Sequence, residues 1–403
     1  MTLLSEQQLR ERVERLAELD RESCSEGERE GARLLARELE SLGAFVSTEA
    51  ERAHGTYWWP IGLATAAAAA AGARGGRSAA LVGALAAAAV ADDVSAGPHV
   101  LRRALLRRRT TVNVSAELGD PDAPQKVVFV AHHDAAHSGL VFHPELPRAL
   151  MRRFKFLRRA ETTPPTMWGA VCGPLVMALG SLVSSRKLRR CGTCVSAGYA
   201  VAMADIGLRR AVPAANDNAS GVAALLSLAH SLAADPPAGV RAILLFPGSE
   251  ESFMEGMRAW ARRHLAHLPR ESTCFVCLDT VGSPRLLLLE GEGMLRMNEY
   301  PKDFLAFVRS CAEEAGIDEV LGLRFRNATD ALIALKAGYR TAMIGSVDEF
   351  KIPTNYHWPT DTPERLDYST VDDAARLCRR IVERLSARAP AASPVGERAY
   401  AAR

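Results

Sequence analysis

Two adjacent glutamates, Glu250 and Glu251, follow the apolar run AILLF at residues 242–246. The run has the length and composition of a buried strand, and Pro247-Gly248 is a turn signal at its end. Ligands of open α/β sheets bind beyond the carboxyl ends of the strands. A metal ion would give two repelling carboxylates different roles, since one can bind the ion while the other acts as a base toward a metal-bound water. A Glu-Glu pair alone is more often a solvated turn, so the prediction depends on the rest of the chain.

Further acidic and histidine residues border predicted strands or open predicted helices, so one rim of a sheet could gather them: His132, Asp134, Asp217, Asp279 and His357. Zinc takes nitrogen and oxygen ligands from these residue types. Two ions roughly 3.5–4 Å apart need a bridging carboxylate, and a free glutamate must carry the proton of the water to the leaving amine. A further carboxylate should hold a ligating imidazole in the right tautomer. The set therefore predicts a two-metal hydrolase.

The order His-x-Asp, Asp-Asn, Glu-Glu, Asp, His resembles that of the M28 family of zinc aminopeptidases. The local sequences AHHDAAHSG, NDNASGVAALLSLA, GSEESFMEGMRAW, LDTVG and YHWPTDTPERLD resemble the family too, over roughly residues 25–60, 110–140 and 210–386. The resemblance implies two Zn²⁺ ions per chain. It also implies the role of each residue: His132 and Asp279 bind one ion, Glu251 and His357 bind the other, Asp217 bridges them, Glu250 is the general base and acid, and Asp134 orients His132.

The sequence departs from the family pattern at several positions. His133 stands where the family often has an aromatic residue, and we expect it to neighbour the site without binding metal. Asp330 matches a family segment near the substrate pocket, but Ala331 and Leu332 replace the usual His-x, so the resemblance gives it no role. His137 and His143 are expected to be structural or exposed.

The function that follows is a zinc-dependent metallo-exopeptidase, expected to be an aminopeptidase. A metal-bridging hydroxide would attack the peptide carbonyl, with Glu250 as general base. One alternative is a catalytically inactive, membrane-associated scaffold with an M28-like fold. Another is an M20-like amidohydrolase or deacylase, but that family carries a dimerisation domain before the last histidine, and Asp279 and His357 are only 78 positions apart. Glutaminyl cyclases also resemble M28 but keep a single zinc, whereas the full ligand set favours two.

Helical and strand patterns alternate from Asn216 onward, which predicts an α/β fold with a mostly parallel mixed sheet and helices on both faces. The segments TTVNVSAEL and KVVFVAHHD are predicted to be adjacent strands, and Ser25 with Glu28 predicts a capping box. We expect one discontinuous peptidase domain over residues 1–56, 110–140 and 208–388. Two apolar hairpin inserts cover 57–109 and 141–207, and the tail 389–403 has a composition typical of disorder.

The inserts carry long uncharged stretches with arginine clusters beside them, which favours membrane association through residues 57–92 and 162–207. A four-helix bundle in a membrane, a soluble helical cap and a hairpin that enters one leaflet all remain open. The charged N-terminus does not resemble a signal peptide, so we expect a reducing compartment and a cytosolic catalytic domain. A net charge of +3 without a nucleic-acid-binding motif predicts a peptide substrate and no nucleic-acid partner. The oligomeric state stays open.

Overall fold

The computed structural model describes residues 3–154 and 158–387. Within these residues one mixed sheet contains nine strands. They are β1 Phe45–Ala53, β2 Arg109–Gly119, β3 Gln125–Val130, β4 Val240–Phe246, β5 Thr273–Leu278, β6 Arg285–Glu292, β7 Asn298–Glu299, β8 Leu321–Phe325 and β9 Arg340–Val347. The strand order is β1-β2-β4-β3-β5-β9-β6-β7, and β8 pairs with β6.

The centre of the sheet is parallel. Strands β4, β3, β5 and β9 run in one direction, while the pairings at the two sides, β1–β2, β2–β4, β9–β6 and β6–β7, are antiparallel. Residues 127–130 and 242–246 are buried throughout, as expected for parallel strands that are covered on both faces. The predicted mixed α/β fold is therefore confirmed.

The prediction that β2 and β3 are adjacent is wrong, because β4 lies between them. The connection 120–124 passes the start of β4, where the Asp120 amide donates to the Val240 carbonyl at 3.1 Å. Strand β3, whose residues 127–130 are apolar and buried, thereby gains two parallel neighbours, whereas β2 keeps partly exposed residues toward its carboxyl end.

Helices cover both faces of the sheet. Their bounds are α1 Glu6–Ala17, α2 Glu26–Ser41, α3 Trp58–Arg74, α4 Arg77–Val94, α5 Val100–Leu105, α6 Glu145–Arg153, α7 Trp168–Leu182, α8 Arg186–Leu208, α9 Ser220–Ala234, α10 Glu255–His264, α11 Lys302–Glu314, α12 Ala331–Lys336 and α13 Tyr368–Ser386. Helices α9 and α13 pack on β4 and on each other, together with α1. Helices α10 and α12 pack on each other and on β1 and β5.

Helices α3, α4, α7 and α8 pack mainly against one another, and we refer to them as the four-helix unit. Gly75-Gly76 joins the first pair and residues 183–185 join the second, and the Arg189 side chain closely approaches Gly75, so both turns lie at one tip. One helix in the described part of the chain, Arg186–Leu208, is long and apolar enough to cross a membrane by length and composition. The division of the chain into one domain and two inserts stays a prediction, and the tail 389–403 lies outside the described residues.

Candidate metal centre

The site lies at the carboxyl ends of the central parallel strands. His132 follows β3 and is buried, with Nδ1 3.4 Å from Asp134 Oδ1 and Nε2 3.3 Å from Asp217 Oδ1. Glu250 and Glu251 follow β4, and Asp279 follows β5 directly. Because parallel strands end at the same edge, three separate strands deliver these side chains to one point.

Asp217 stands between the two histidines of the site. Its Oδ1 faces His132, and its Oδ2 lies 3.1 Å from Nε2 of His357. The same His357 nitrogen lies 3.3 Å from Glu251 Oε2. Asp217 thus offers one oxygen to each side, which is the geometry that a bridging carboxylate requires.

The ligand atoms form three groups, each within 4.8 Å: His132 with Asp217 and Asp279, His132 with Glu250 and Glu251, and Asp217 with Glu251 and His357. Both ring nitrogens of His132, Nδ1 of His357 and Oε1 of Glu251 are buried without a hydrogen-bond partner among the described residues. Two ligand atoms on a tetrahedral zinc ion with bonds of about 2.0–2.1 Å lie about 3.3 Å apart. The Asp217–His132, Asp217–His357 and His357–Glu251 separations match that spacing, so these residues fit divalent zinc.

Burial and mutual repulsion govern the ionisation of the cluster. Burial, reinforced by nearby carboxylates, raises the pKa of Glu250 and of Glu251 well above the ordinary value. Burial and then Asp217 raise the pKa of Asp279 to about 7. Burial also opposes ionisation of Asp217, but its contacts with His132 and His357 outweigh burial and lower its pKa. A bound cation would favour the ionised form of all these groups.

Asp134 was predicted to orient His132, and it also accepts hydrogen bonds from the backbone of Glu250 and Glu251. Its Oδ1 accepts the amide hydrogen of Glu250 at 3.0 Å, and its Oδ2 accepts that of Glu251 at 3.2 Å. The Ser23 hydroxyl also donates to Oδ2, at 2.6 Å. One buried carboxylate therefore fixes the backbone of both glutamates relative to His132.

Two further acidic side chains, Asp361 and Glu28, accept hydrogen bonds from the loops of the site. The sequence motifs did not predict either role. Asp361 accepts the amides of Asn216 at 2.8 Å and of Asp217 at 3.1 Å. Glu28 accepts the amide of Ser249 at 2.8 Å, the Ser249 hydroxyl at 3.0 Å and the Thr111 hydroxyl at 2.8 Å. The predicted capping box is therefore only half correct: the Ser25 hydroxyl caps α2, but the Glu28 carboxylate binds Ser249 instead of the Ser25 amide.

Arg21 also fixes the loops of the site, and the sequence motifs did not predict its role. Its guanidinium is fully buried and donates to the carbonyls of Leu16, His133 and Pro213 at 2.7–2.9 Å. Burial lowers its pKa to about 10, against the attraction of Asp134, Asp361, Asp217 and Glu251. Arg21 is thus a cation behind the acidic cluster, and it ties the loop after β3 to the loop before α9.

The remaining flagged residues lie around the site. Nε2 of His133 contacts the Val112 carbonyl at 2.9 Å, Nε2 of His137 lies 3.1 Å from Glu22, and the His143 ring packs on Trp358. None of the three belongs to a metal-ligand group in the described residues. Asp330 is buried with both carboxylate oxygens unpartnered among the described residues, and its charge contributes to the raised pKa of Glu250. The structure thus brings Asp330 close to the site.

A chamber of about 650 Å³ opens beside the cluster. Glu250, Glu251 and His357 line one part of it. Most of the remaining wall is apolar or aromatic: Tyr57, Val141, Phe142, Met167, Val195, Tyr199, Ala202, Met203, Ile206, Phe253, Met294, Ala328 and Tyr356. Of these, the residues from Val195 to Ile206 lie on α8. An apolar chamber with a few convergent polar groups is typical of a substrate pocket.

Comparison with known proteins supports the family resemblance and the fold. The model of peptidase family M28 matches residues 200–382, so the predicted resemblance is confirmed. No curated protein matches the chain.

Solved structures show the same fold. A Bacteroides thetaiotaomicron glutaminyl cyclase bound to N-acetylhistamine matches with a TM-score of 0.57 and 15% identity, covering 95% of this chain and 99% of that one. A leucine aminopeptidase precursor from the same organism matches with a TM-score of 0.56 and 15% identity, covering 95% of this chain and 98% of that one. A Zn-dependent exopeptidase from Parabacteroides distasonis matches with a TM-score of 0.55 and 14% identity, covering 95% of this chain and 99% of that one. The fold is therefore that of zinc exopeptidases and glutaminyl cyclases, and the family implies zinc.

The role of Glu28 generates a pH-dependent prediction. Burial, with a contribution from Asp134, raises the pKa of Glu28 from 4.5 to about 8. Below pH 4.5 the carboxyl is protonated in both states, and as the pH rises toward 8 the unfolded state ionises first, so this group costs stability. Glu28→Gln keeps an acceptor oxygen for Ser249 without titrating. The stability of this variant relative to the natural chain should therefore rise between pH 5 and 8, by at most about 1.4 kcal/mol per pH unit.

Urea unfolding at several pH values measures this difference. Glu28→Ala serves as the comparison, since it leaves the Ser249 and Thr111 donors without an acceptor and should lower the unfolding free energy by about 1–3 kcal/mol. A difference between Glu28→Gln and the natural chain that stays constant with pH would show that Glu28 does not titrate in this range.

Proposed function

We propose that this chain, whose residues 200–382 belong to peptidase family M28, is a two-zinc exopeptidase that removes amino-terminal residues from peptides. The observation that carries the proposal is the position of Asp217. Its two oxygens face two different histidines, and each histidine stands beside a further carboxylate. Two adjacent ligand sets that share one carboxylate are what two metal ions require.

The ligand groups support a specific division. His132 and Asp279 would hold one ion, Glu251 and His357 the other, and Asp217 would bridge. Zinc, when bound, polarises a carbonyl and makes a coordinated water acidic near neutral pH. Asp134 keeps the imidazole of His132 oriented and fixes the backbone of the Glu-Glu pair, so the residues on the two strands act as one unit.

Glu250 is the proposed general base and acid. It lines the chamber and lies beside His132 and Glu251. Because burial raises the pKa of its carboxyl, Glu250 can accept a proton from the attacking water and return it to the leaving amine. The role needs a carboxylate that reaches the substrate, and Glu250 lines the chamber wall.

Charge balance supports attack at the amino end. If all six are ionised, the buried carboxylates of the cluster carry one more negative charge than two divalent zinc ions and the Arg21 guanidinium neutralise: Asp134, Asp217, Asp279, Asp330, Glu250 and Glu251. The Asp330 oxygens have no partner among the described residues. A substrate with a protonated α-amine would offset this excess, whereas a peptide carboxylate would increase it.

Glu250→Gln removes the proposed base while it preserves the shape of the side chain. We expect kcat to fall by about 10²–10⁴-fold. Two zinc ions should remain bound per chain, as measured by elemental analysis in the same samples. Asp217→Asn is the comparison, because loss of the bridging charge should lower zinc content as well as turnover. Hydrolysis is measured on a panel of aminoacyl chromogenic substrates.

The other outcomes favour different functions. Normal turnover by Glu250→Gln would remove Glu250 from the mechanism. A single zinc with ring closure of amino-terminal glutamine peptides, included in the panel, would favour glutaminyl cyclisation. A chain that binds no metal after zinc is supplied would favour the inactive scaffold.

We also propose that the four-helix unit binds a membrane, with the catalytic domain on the cytosolic side. Large apolar side chains point outward from all four helices: Leu63, Leu81, Leu85, Leu175, Leu179, Leu182, Leu188 and Val201. The tip carries Arg74, Arg77, Arg189 and Arg190, while Trp59 and Trp168 are exposed near the opposite end. An apolar belt between arginines and tryptophans supports contact with lipid.

Replacing Leu81 and Leu85, each 62% exposed on α4, with Gln removes apolar contact area from the proposed lipid surface. We expect at least a tenfold loss of binding to phosphatidylethanolamine–phosphatidylglycerol vesicles, measured by flotation. Hydrolysis of a soluble substrate should stay unchanged. Phe45→Ser is the matched control, since Phe45 is 73% exposed on β1 outside the unit. Equal flotation of both variants and the natural chain would contradict the proposed membrane contact.

A further inference from the structure

Arg326 places a positive charge on the wall of the apolar chamber. It follows β8 and lines the same chamber as Glu250 and Glu251. The Arg326 side chain is partly exposed, and most of the wall around it is apolar. A ligand in the chamber can therefore reach the guanidinium.

Within residues 3–154 and 158–387 no carboxylate forms an ion pair with Arg326. Its guanidinium lies 5.5 Å from the ring centre of Trp168, and one nitrogen makes a long 3.5 Å contact with the Leu295 carbonyl. Its backbone amide donates to the Thr163 hydroxyl at 2.7 Å, which fixes the chain at this point. The side chain is thus positioned, but its charge is not neutralised.

Arg324, two residues earlier, provides a contrast. It pairs with Glu290 at 2.8 Å and with Glu299 at 3.1 Å. The described residues therefore supply counter-ions to Arg324 and none to Arg326, which leaves the Arg326 guanidinium available to a ligand.

The chamber limits what that ligand can be. An apolar cavity of about 150 Å³ holds one benzene ring, and pockets of about 300–1,000 Å³ hold drug-sized molecules. At about 650 Å³ the chamber has room for a few residues, and its apolar wall favours apolar side chains. Glu250, Glu251 and His357 line this chamber together with Arg326.

We propose that the chamber binds short apolar peptides and that Arg326 binds the free α-carboxylate at their carboxyl end. A guanidinium forms two parallel hydrogen bonds with a carboxylate, so it recognises that group by geometry as well as charge. The inference rests on the proposed exopeptidase function, because it places the amino end of the same peptide at the acidic cluster. It makes Arg326 a specificity-determining residue that favours peptides ending inside the chamber.

The test compares trileucine with trileucinamide, which differ only in the terminal charge. We expect the zinc-loaded natural chain to cleave trileucine with at least a tenfold higher kcat/KM, through a lower KM. In Arg326→Gln this preference should disappear, and in Arg326→Lys it should fall to an intermediate value. Arg324→Gln, which removes an arginine that already has partners, should keep the full preference.

Calorimetry separates this inference from the proposed function. Both peptides are titrated into Glu250→Gln protein with and without the Arg326→Gln change, so that binding is measured without turnover. Tighter binding of the free acid that depends on Arg326 supports the inference even if the natural chain cleaves neither peptide, an outcome that would refute only the exopeptidase function. Equal cleavage and equal binding of acid and amide by the natural chain would overturn the inference and leave the exopeptidase function standing.

Discussion

Repulsion between buried carboxylates is the constraint on which the site depends. Glu250, Glu251, Asp217 and Asp279 are gathered into one pocket with histidines as their neighbours. Burial makes their ionisation costly, and each carboxylate raises the cost for the others. Such a cluster is stable in its charged form only with cations, which is why the arrangement and a metal requirement belong together. Arg21 supplies one permanent positive charge from behind, but it donates to backbone carbonyls and so leaves the ligand oxygens free.

Hydrogen bonds to the backbone of the site loops keep these charged groups close together despite their repulsion. Asp134 accepts the amides of Glu250 and Glu251, Asp361 accepts that of Asp217, and Glu28 accepts that of Ser249. The amide donors also lower the energetic cost of burying Asp134, Asp361 and Glu28, because their hydrogen bonds replace part of the lost hydration. The acidic side chains are therefore in two layers: one forms the proposed metal site, and the other fixes the loops that carry the first.

The first layer could be predicted from the sequence, because each of its members adjoins a strand end or a helix start within a short recognisable motif. In the second layer only Asp134 lies in such a motif, and its amide contacts and the roles of Glu28 and Asp361 could not be predicted. Glu28 meets Ser249 across 221 positions, and its local context in α2 predicts a helix cap, which a short-range rule favours by default. The position of β4 between β2 and β3 was likewise missed, since hydrophobic pattern identifies a strand but does not specify its neighbours. Arg21 and Asp361 act through backbone carbonyls and amides of distant loops, and such contacts leave no spacing signal.

Helix α8 belongs both to the wall of the chamber and to the outer surface of the four-helix unit, a connection that the sequence did not predict. The chamber beside Glu250 is lined by six residues of this helix, while Leu188 and Val201 of the same helix are exposed on the four-helix unit; the six are Val195, Gly198, Tyr199, Ala202, Met203 and Ile206. One helix thus has an apolar surface toward the chamber and another toward the surroundings. A helix that is apolar on both sides is typical of a buried element or of contact with lipid. Because the chamber wall and the outer surface belong to one helix, a change in the position of that helix would change the shape of the chamber.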